Sequence, residues 1–466
     1  LHSRQVRKVC IGAIIETRYF VGRKELSLSS ENIHERPVDL LQALIRFDTT
    51  NPPGNEGECI AFIRDLLEDA GFETANYARV EARPNLITRL PGRGAAPPLL
   101  LYGHVDVVTT VNQKWTHPPF EARVVDGYVW GRGALDMKSG VAMMLAALLR
   151  VKQEGFKPAG DIVFAAYCDE ENLGDYGARF LVEEHPEQFE GVRYALSEFG
   201  GMTLYMAGRR FYPIQISEKQ VCWMKAIIRG IPGHGSRPIR GGAMADLAKM
   251  LHGLEHKRMP IHITPAARRM IEAIASQLPF PARIIFRQLL RPSLVDHVLG
   301  LLGPAGGNLE LLLRNTVSPT IVQGGVKINV IPSKIELQLD GRLLPGFAPQ
   351  DMLAELREIV GEDVEIEIIR HDPMTAEPDL GLFDLLAGVL QEADPQGVPI
   401  PMLLPAVTDA RYFSQLGIQT YGFTPMKFAE NFDFFSLAHG ENERIPVEAV
   451  TFGTEAIYQV LRRYGM

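Results

Sequence analysis

Two histidines and five carboxylates stand in short, well-marked turns spread along this chain: His104 and Asp106 in GHVDVV, Asp136 in GRGALDMKSG, Glu170 and Glu171 in CDEENLG, Glu198 in LSEFGG and His439 in AHGENER. Imidazole nitrogen and carboxylate oxygen form a mixed donor set that suits zinc. Two imidazoles with this many acids can hold a pair of divalent cations and leave one carboxylate over to move a proton.

Each turn also has a plainer reading. Residues two apart on a strand share a face, so Asp106 can orient the imidazole of His104; a buried histidine paired with a structural acid is the alternative. Asp136 lies in a glycine-rich turn where a short carboxylate can reach a cleft, or it caps the helix that starts near SGVAMMLAALL. GALDMKS lacks the glycine that a phosphate loop requires before Lys138. Asp169, Glu170 and Glu171 follow the apolar run DIVFAAYC. Adjacent acids are usually a solvated cluster, but at the exit of a buried strand their repulsion needs compensation, which a metal supplies. Glu198 repeats that theme after VRYAL. His439 could belong to a polar loop and His234, in IPGHGSRP, to a glycine turn. Their joint occurrence with the acids gives them weight.

The elements that must position these residues follow from periodicity. From Pro37, two amphipathic helices (VDLLQALIRF and ECIAFIRDLLEDAGF) precede apolar runs that alternate with helices: PNLITRL, PPLLLYGHVDVV, SGVAMMLAALLRVKQEG, DIVFAAYCDEE and YGARFLVEEH. This alternation predicts an α/β fold with a mostly parallel sheet covered by helices. GHVDVV and CDEE fall at strand C-terminal ends, where open α/β sheets bind ligands. From Gln220 the order becomes strand, helix, strand, strand, helix, strand, that of a ferredoxin-like α+β domain, with an additional helical stretch from Pro260 to Asn315. After Pro373 the first pattern resumes. The expected organisation is an N-terminal extension over 1–36, a catalytic domain formed by 37–219 and 374–466, and an inserted lid and dimerisation domain over 220–373.

A length of 466 residues exceeds what one core usually serves. With 46% hydrophobic and 22% charged residues the chain reads as an ordinary globular protein, and a formal charge of −8 argues against a nucleic-acid partner. Cys10, Cys59, Cys168 and Cys222 form no CxxC pair, which suggests neither a disulfide framework nor a thiolate zinc site and fits a cytoplasmic location. Arg4, Arg7 and Lys8 precede the apolar run VCIGAII, but the run is short and has no small-residue cleavage site. No apolar stretch approaches the roughly 20 residues of a membrane helix, so no membrane partner is expected.

The segments GHVDVV, WTHPPFEARVVDGYVWGRGALDMKSG, CDEENLG, SEFGG, GIPGHGSRP, KINVIPS and AHGENERIP, in this order, resemble the metallopeptidase and deacylase family of acetylornithine deacetylase, succinyl-diaminopimelate desuccinylase, aminoacylase, carnosinase and bacterial glutamate carboxypeptidase. The resemblance runs from Pro37 to the C-terminus. It implies two Zn²⁺ ions, with Co²⁺ or Mn²⁺ as substitutes: one held by His104, Asp136 and Glu198, the other by Asp136, Glu171 and His439, with a water or hydroxide between them. It further implies Asp106 as the residue orienting His104, and Glu170 as general base. His234 would serve as an oxyanion donor reaching the partner subunit's site, with Asn329 nearby. Arg342, in LDGRLLPG, matches an arginine that grips a substrate carboxylate; Arg411, in VTDARYF, is a second candidate, with a surface salt bridge as its alternative. The implied function is di-zinc hydrolysis of a peptide or N-acyl amino acid beside a free carboxylate, as a carboxypeptidase or dipeptidase. An N-acyl-amino-acid deacylase is the alternative, a catalytically silent metabolite-binding homologue the rival of another class. A homodimer through the inserted domain is implied as well.

Overall fold

The computed structural model describes residues 32–466 except 238 and 363, together with the backbone of three antiparallel N-terminal strands, Lys8–Ile11, Ile14–Val21 and Lys24–Ser27. The expected N-terminal extension therefore lies largely outside the described residues. The chain divides into two compact units. The larger comprises Leu1–Gln215, Asp379–Ile400 and Thr408–Met466, and the smaller comprises Ile216–Pro378 and Pro401–Val407.

In the larger unit, four strands run parallel at the centre of the sheet, in the order Gln419–Gly422, Tyr194–Ser197, Leu99–His104, Ile162–Tyr167. Antiparallel strands flank them: Asn85–Leu90 and Thr74–Tyr77 on one side, and the strand beginning at Arg209 followed by Leu204–Met206 on the other. The strands Leu99–His104 and Ile162–Tyr167 are buried at every position, which is why they read as continuous apolar runs rather than alternating ones. Each fully buried large aliphatic side chain there contributes about 1.5–3 kcal/mol. The helix Lys138–Gln153 is buried along nearly its whole length, against the strand Leu99–His104 and the C-terminal helix Val447–Arg463. Gly103 permits this approach: a Cβ there would lie 2.7 Å from Met137 Cε and 2.9 Å from Val141 Cγ2.

A separate three-stranded antiparallel sheet pairs Arg123–Val125 with Tyr128–Trp130 and the latter with Arg444–Pro446. It returns the C-terminal part of the chain to the turn that follows Trp130.

The smaller unit is a four-stranded antiparallel sheet in the order Thr316–Gly324, Lys334–Leu343, Gln220–Arg229, Glu365–Asp372. Helices Ala243–His256 and Pro349–Val360 pack on it through Met224, Ala226, Met250, Leu337, Leu339, Met352 and Leu356. This is the ferredoxin-like order, and the helices Pro265–Gln277, Ala282–Arg287, Pro292–Leu301 and Pro304–Glu310 form the additional stretch. The segment Pro401–Val407 joins this unit although nothing in its sequence pattern marks a second crossing.

Candidate metal centre

Three adjacent parallel strands deliver most of the site. His104 ends the strand Leu99–His104, Glu170 and Glu171 follow Ile162–Tyr167 in a single 3-10 turn, and Glu198 follows Tyr194–Ser197. Neighbouring parallel strands end side by side, so residues distant in sequence converge at one edge. Asp136 precedes the helix Lys138–Gln153, whose N-cap is Met137, so it does not cap that helix. Lys138 is fully buried, and its Nζ donates to the carbonyls of Leu44 (3.0 Å) and Phe47 (2.7 Å), closing the end of the helix Pro37–Ile45 rather than facing a ligand.

Asp136 lies between the two histidines. Its Oδ1 is 3.2 Å from His104 Nε2, and its Oδ2 is 3.0 Å from His439 Nε2. Each imidazole has a glutamate of its own: Glu198 Oε2 lies 3.6 Å from His104 Nε2, and Glu171 Oε1 lies 3.2 Å from His439 Nε2. Ligand atoms of His104, Asp136 and Glu171 fall within 4.8 Å of one another, as do those of His104, Glu170 and Glu198. His104 is fully buried, whereas the His439 side chain is 48% exposed, so the site opens to solvent on the His439 side.

The electrostatics of this cluster call for positive charge. Burial, then the neighbouring charges of Glu198 and Asp409, push the Glu170 carboxyl well above the usual range. Burial and the Asp136 charge push Glu198 up to about 8. Hydrogen bonds to Asp136 and Glu171 raise His439 to about 10. Burial opposes charge on His104, yet hydrogen bonds to Asp106, Asp136 and Glu198 hold it well above its ordinary value. Without a cation the imidazoles must carry the compensating protons; divalent cations would supply the same charge to a donor set that suits them. The residues present therefore fit a metal pair.

Behind the site lies a buried polar network. The Asp106 carbonyl oxygen is 3.0 Å from His104 Nδ1 and its carboxylate Oδ1 is 3.5 Å away. The carboxylate mainly holds the glutamate turn, Oδ1 accepting the Glu170 amide and Oδ2 the Glu171 amide, each at 3.1 Å. Asn51 Nδ2 donates to Asp106 Oδ2 (2.9 Å) and to Asp169 Oδ1 (3.0 Å). Arg83 Nη1 lies 2.9 Å from Asp169 Oδ1, and Arg83 also pairs with the buried Glu56. Sequence reasoning missed Asn51 and Arg83 as parts of the site and gave Asp169, noted within its acid run, no role of its own. Asn51 in TTNPPG reads as an ordinary turn residue, and only its burial gives it a role.

The other expected site residues fall in different places. Arg411 is in the larger unit and 3% exposed, with Nη2 3.7 Å from Asp409 Oδ1 and its guanidinium over the Tyr412 ring. The salt bridge that was its alternative is present, but buried rather than at the surface. His234 and Asn329 are neighbours in the smaller unit: the strand Gly233–His234 pairs with Val330–Ile331, and the Gly235 amide donates to the Asn329 carbonyl. His234 is exposed, and its Nδ1 accepts from the Ser236 amide at 3.2 Å, which leaves Nε2 as the protonated nitrogen of the neutral ring. Arg342, on the strand Lys334–Leu343, is held by both oxygens of Asp340, at 2.8 and 3.1 Å.

A parallel sheet carries clustered imidazoles and carboxylates at its C-terminal edge, a donor set able to hold metal, and the relatives of this chain make it a hydrolase of the peptidase and aminoacylase class. The chain belongs to the peptidase family M20/M25/M40, whose profile matches residues 100–463. A probable carboxypeptidase S-like 2 of Dictyostelium discoideum is 31% identical over 369 residues, covering 75% of this chain and 68% of its own. The human N-fatty-acyl-amino acid synthase/hydrolase PM20D1 is 28% identical over 396 residues, covering 82% and 77%. Among solved structures, an M20 family metallo-carboxypeptidase from Sulfolobus solfataricus has a TM-score of 0.65 at 16% identity, covering 92% of this chain and 99% of its own. A dinuclear metal binding peptidase of the same family from Bacillus subtilis has a TM-score of 0.59 at 16% identity, covering 93% and 98%.

Proposed function

We propose that the chain is a two-zinc amide hydrolase that cleaves a peptide or N-acyl amino acid beside a free carboxylate, a carboxypeptidase or dipeptidase in the first instance. One observation carries the reading: Asp136 sits between His104 and His439, one oxygen toward each, and each histidine has its own glutamate. His104, Asp136 and Glu198 would hold one cation, and Asp136, Glu171 and His439 the other. When bound, the pair supplies Lewis acidity that lowers the pKa of water and polarises the scissile carbonyl.

The remaining work falls to the chain's own groups. Glu170 takes a proton from the attacking water and delivers it to the leaving nitrogen, a task suited to a carboxyl whose pKa burial has raised well above the usual carboxylate range. Asp106 fixes His104 and the turn that carries Glu170 and Glu171. His234, whose Nδ1 accepts from the Ser236 amide, would reach a partner subunit's site and donate from Nε2 to the developing oxyanion, with Asn329 beside it. Arg342 would take the substrate carboxylate in exchange for part of its contact with Asp340, and Arg411 is the second candidate for that role.

A homodimer through the smaller unit is part of this reading. The strand Thr316–Gly324 is an edge strand exposed over most of its length, and Val326 and Ile328 beyond it are almost wholly exposed, features that a second copy would cover.

The second reading is an N-acyl-amino-acid deacylase, favoured by the likeness to a protein named an N-fatty-acyl-amino acid hydrolase. Purified protein supplied with zinc or cobalt and assayed on dipeptides and on N-acetyl, N-succinyl and long-chain N-acyl amino acids tests both. Zinc uptake with hydrolysis of carboxylate-bearing substrates, and none of their carboxamides, supports the proposal. No uptake and no hydrolysis would leave a metabolite-binding homologue.

A further inference from the structure

The half of the site that contains His439 depends on two loops, residues 131–137 and 438–443, and a buried ion pair ties them. Glu443 is fully buried: its Oε1 accepts the amides of Leu135 (2.6 Å) and Asp136 (3.3 Å), and its Oε2 is 2.6 Å from Arg132 Nη1. Arg132 is 1% exposed, and its Nη2 donates to Gln113 Oε1 (2.7 Å) and to the His439 carbonyl (3.1 Å). Gln113 Nε2 donates to that same carbonyl at 2.9 Å. Two donors therefore converge on one oxygen of His439, whose φ of 61° lies in the left-handed region that a residue with a side chain rarely holds unaided. The neighbouring backbone is fastened as well, the Lys114 amide to Glu441 and the Thr116 amide to Asn442. Trp115 lies over the Arg132 guanidinium.

We infer that Arg132, Gln113 and Glu443 form a clasp that sets where His439 stands relative to Asp136, and so governs metal affinity in the Asp136, Glu171 and His439 half-site without governing the His104 and Glu198 half. They are positioning residues, since none of them supplies a ligand. The inference rests on the two-metal reading above. A buried ion pair adds little net stability, because desolvation offsets most of the attraction; what it does secure here is the relative placement of two loops. Glu443 holds the Asp136 backbone directly, whereas the donors of Arg132 and Gln113 meet at the His439 carbonyl and make no hydrogen bond to Asp136. Removing the Arg132 and Gln113 donors while keeping an acceptor at 443 should therefore free His439 and leave Asp136 in place.

Two variants test this. Gln113→Leu removes one donor to the His439 carbonyl and keeps both buried charges, although Arg132 Nη2 loses its Gln113 acceptor. Arg132→Met combined with Glu443→Gln removes both charges together, and the glutamine oxygen still accepts the Leu135 amide. Zinc uptake is measured by competition with a chromophoric chelator, and folding by near-ultraviolet circular dichroism of the metal-free protein. Wild type should take up two equivalents. In the variants one equivalent keeps its affinity and the other weakens, about tenfold in Gln113→Leu and up to about 100-fold in the double variant, the range for loss of outer-sphere partners. Arg132→Lys, which keeps a charge but lacks the fork that spans Glu443 and His439, should resemble the double variant more than wild type. Folded variants that bind both equivalents as wild type does, or that lose both equally, overturn the clasp. A wild-type protein that takes up no zinc overturns the metal reading beneath it.

Discussion

Asp106→Asn tests whether the glutamate turn is held as the structure shows. Asp106 is fully buried and accepts three hydrogen bonds, from Asn51 Nδ2 and from the amides of Glu170 and Glu171. Asparagine keeps the shape but turns one oxygen into a donor. The least costly orientation keeps the oxygen at Oδ2, where it serves Asn51 and Glu171, and sets the NH₂ against the Glu170 amide. One charge-assisted bond, worth about 1.5–3 kcal/mol, is then lost, and a buried N–H is left facing another donor at a further cost of about 1–3 kcal/mol. The sum, about 2.5–6 kcal/mol, is a large fraction of a typical folding free energy of about 5–15 kcal/mol. Urea unfolding of the metal-free protein, followed through the transition of the larger unit, should show this loss as a lower midpoint at unchanged slope. Metal affinity should fall about 10- to 100-fold, because the same carboxylate fixes the turn bearing Glu171. A variant within about 0.5 kcal/mol of wild type, the usual range of an inconsequential surface change, that also keeps its metal affinity would refute the reasoning.

Three further outcomes are expected. Glu170→Ala should keep both zinc equivalents and lose turnover by about 10²- to 10⁴-fold; loss of a zinc equivalent would show Glu170, not only Glu171, to be a ligand. Val326→Glu with Ile328→Glu should convert a dimer into monomers in sedimentation experiments, since both side chains are almost wholly exposed beside an unpaired edge strand; an unchanged dimer would place the interface elsewhere. Lys219, whose Nζ donates to the Arg314 carbonyl and to Thr316, is lowered to about 7 by burial and by the charge of Arg342. Between pH 7 and about 10.4 the unfolded chain holds a proton there that the folded one does not, so stability of the smaller unit falls as pH drops through that window and levels off below it. Lys219→Met should remove that slope, and a variant that keeps it would assign the pH dependence to another group.

Much of the fold is legible because its signals are local. The runs LLLYGH and IVFAAY, short and apolar, read as strands buried on both faces, and the helix Lys138–Gln153 lies between them. The strand, helix, strand, strand, helix, strand order of the smaller unit is equally readable. What escaped was not local. The three-stranded sheet that pairs Tyr128–Trp130 with Arg444–Pro446 joins segments far apart in sequence, and neither half carries a pattern naming its partner. Lys138, which lacks the preceding glycine of a phosphate loop, closes the end of a helix far from it in sequence. Arg411, a second candidate for the substrate carboxylate with a surface salt bridge as its alternative, is buried beside Asp409.

The sequence by itself determined the chemistry available: two imidazoles and a set of carboxylates in turns after apolar strands, in an order that resembles one family. Donor type and strand pattern are properties of short segments, and these survive without coordinates. The tertiary structure decided the pairing. Parallel strands ending side by side bring Glu198 to His104 and the 170–171 turn to Asp106, and the returning C-terminal strand sets His439 against Asp136 and Glu171. Asn51, Arg132 and Glu443 read as ordinary loop residues until burial removes water as their partner. A buried charge or amide must then find its complement in the protein, and here those complements are the loops that carry the candidate ligands.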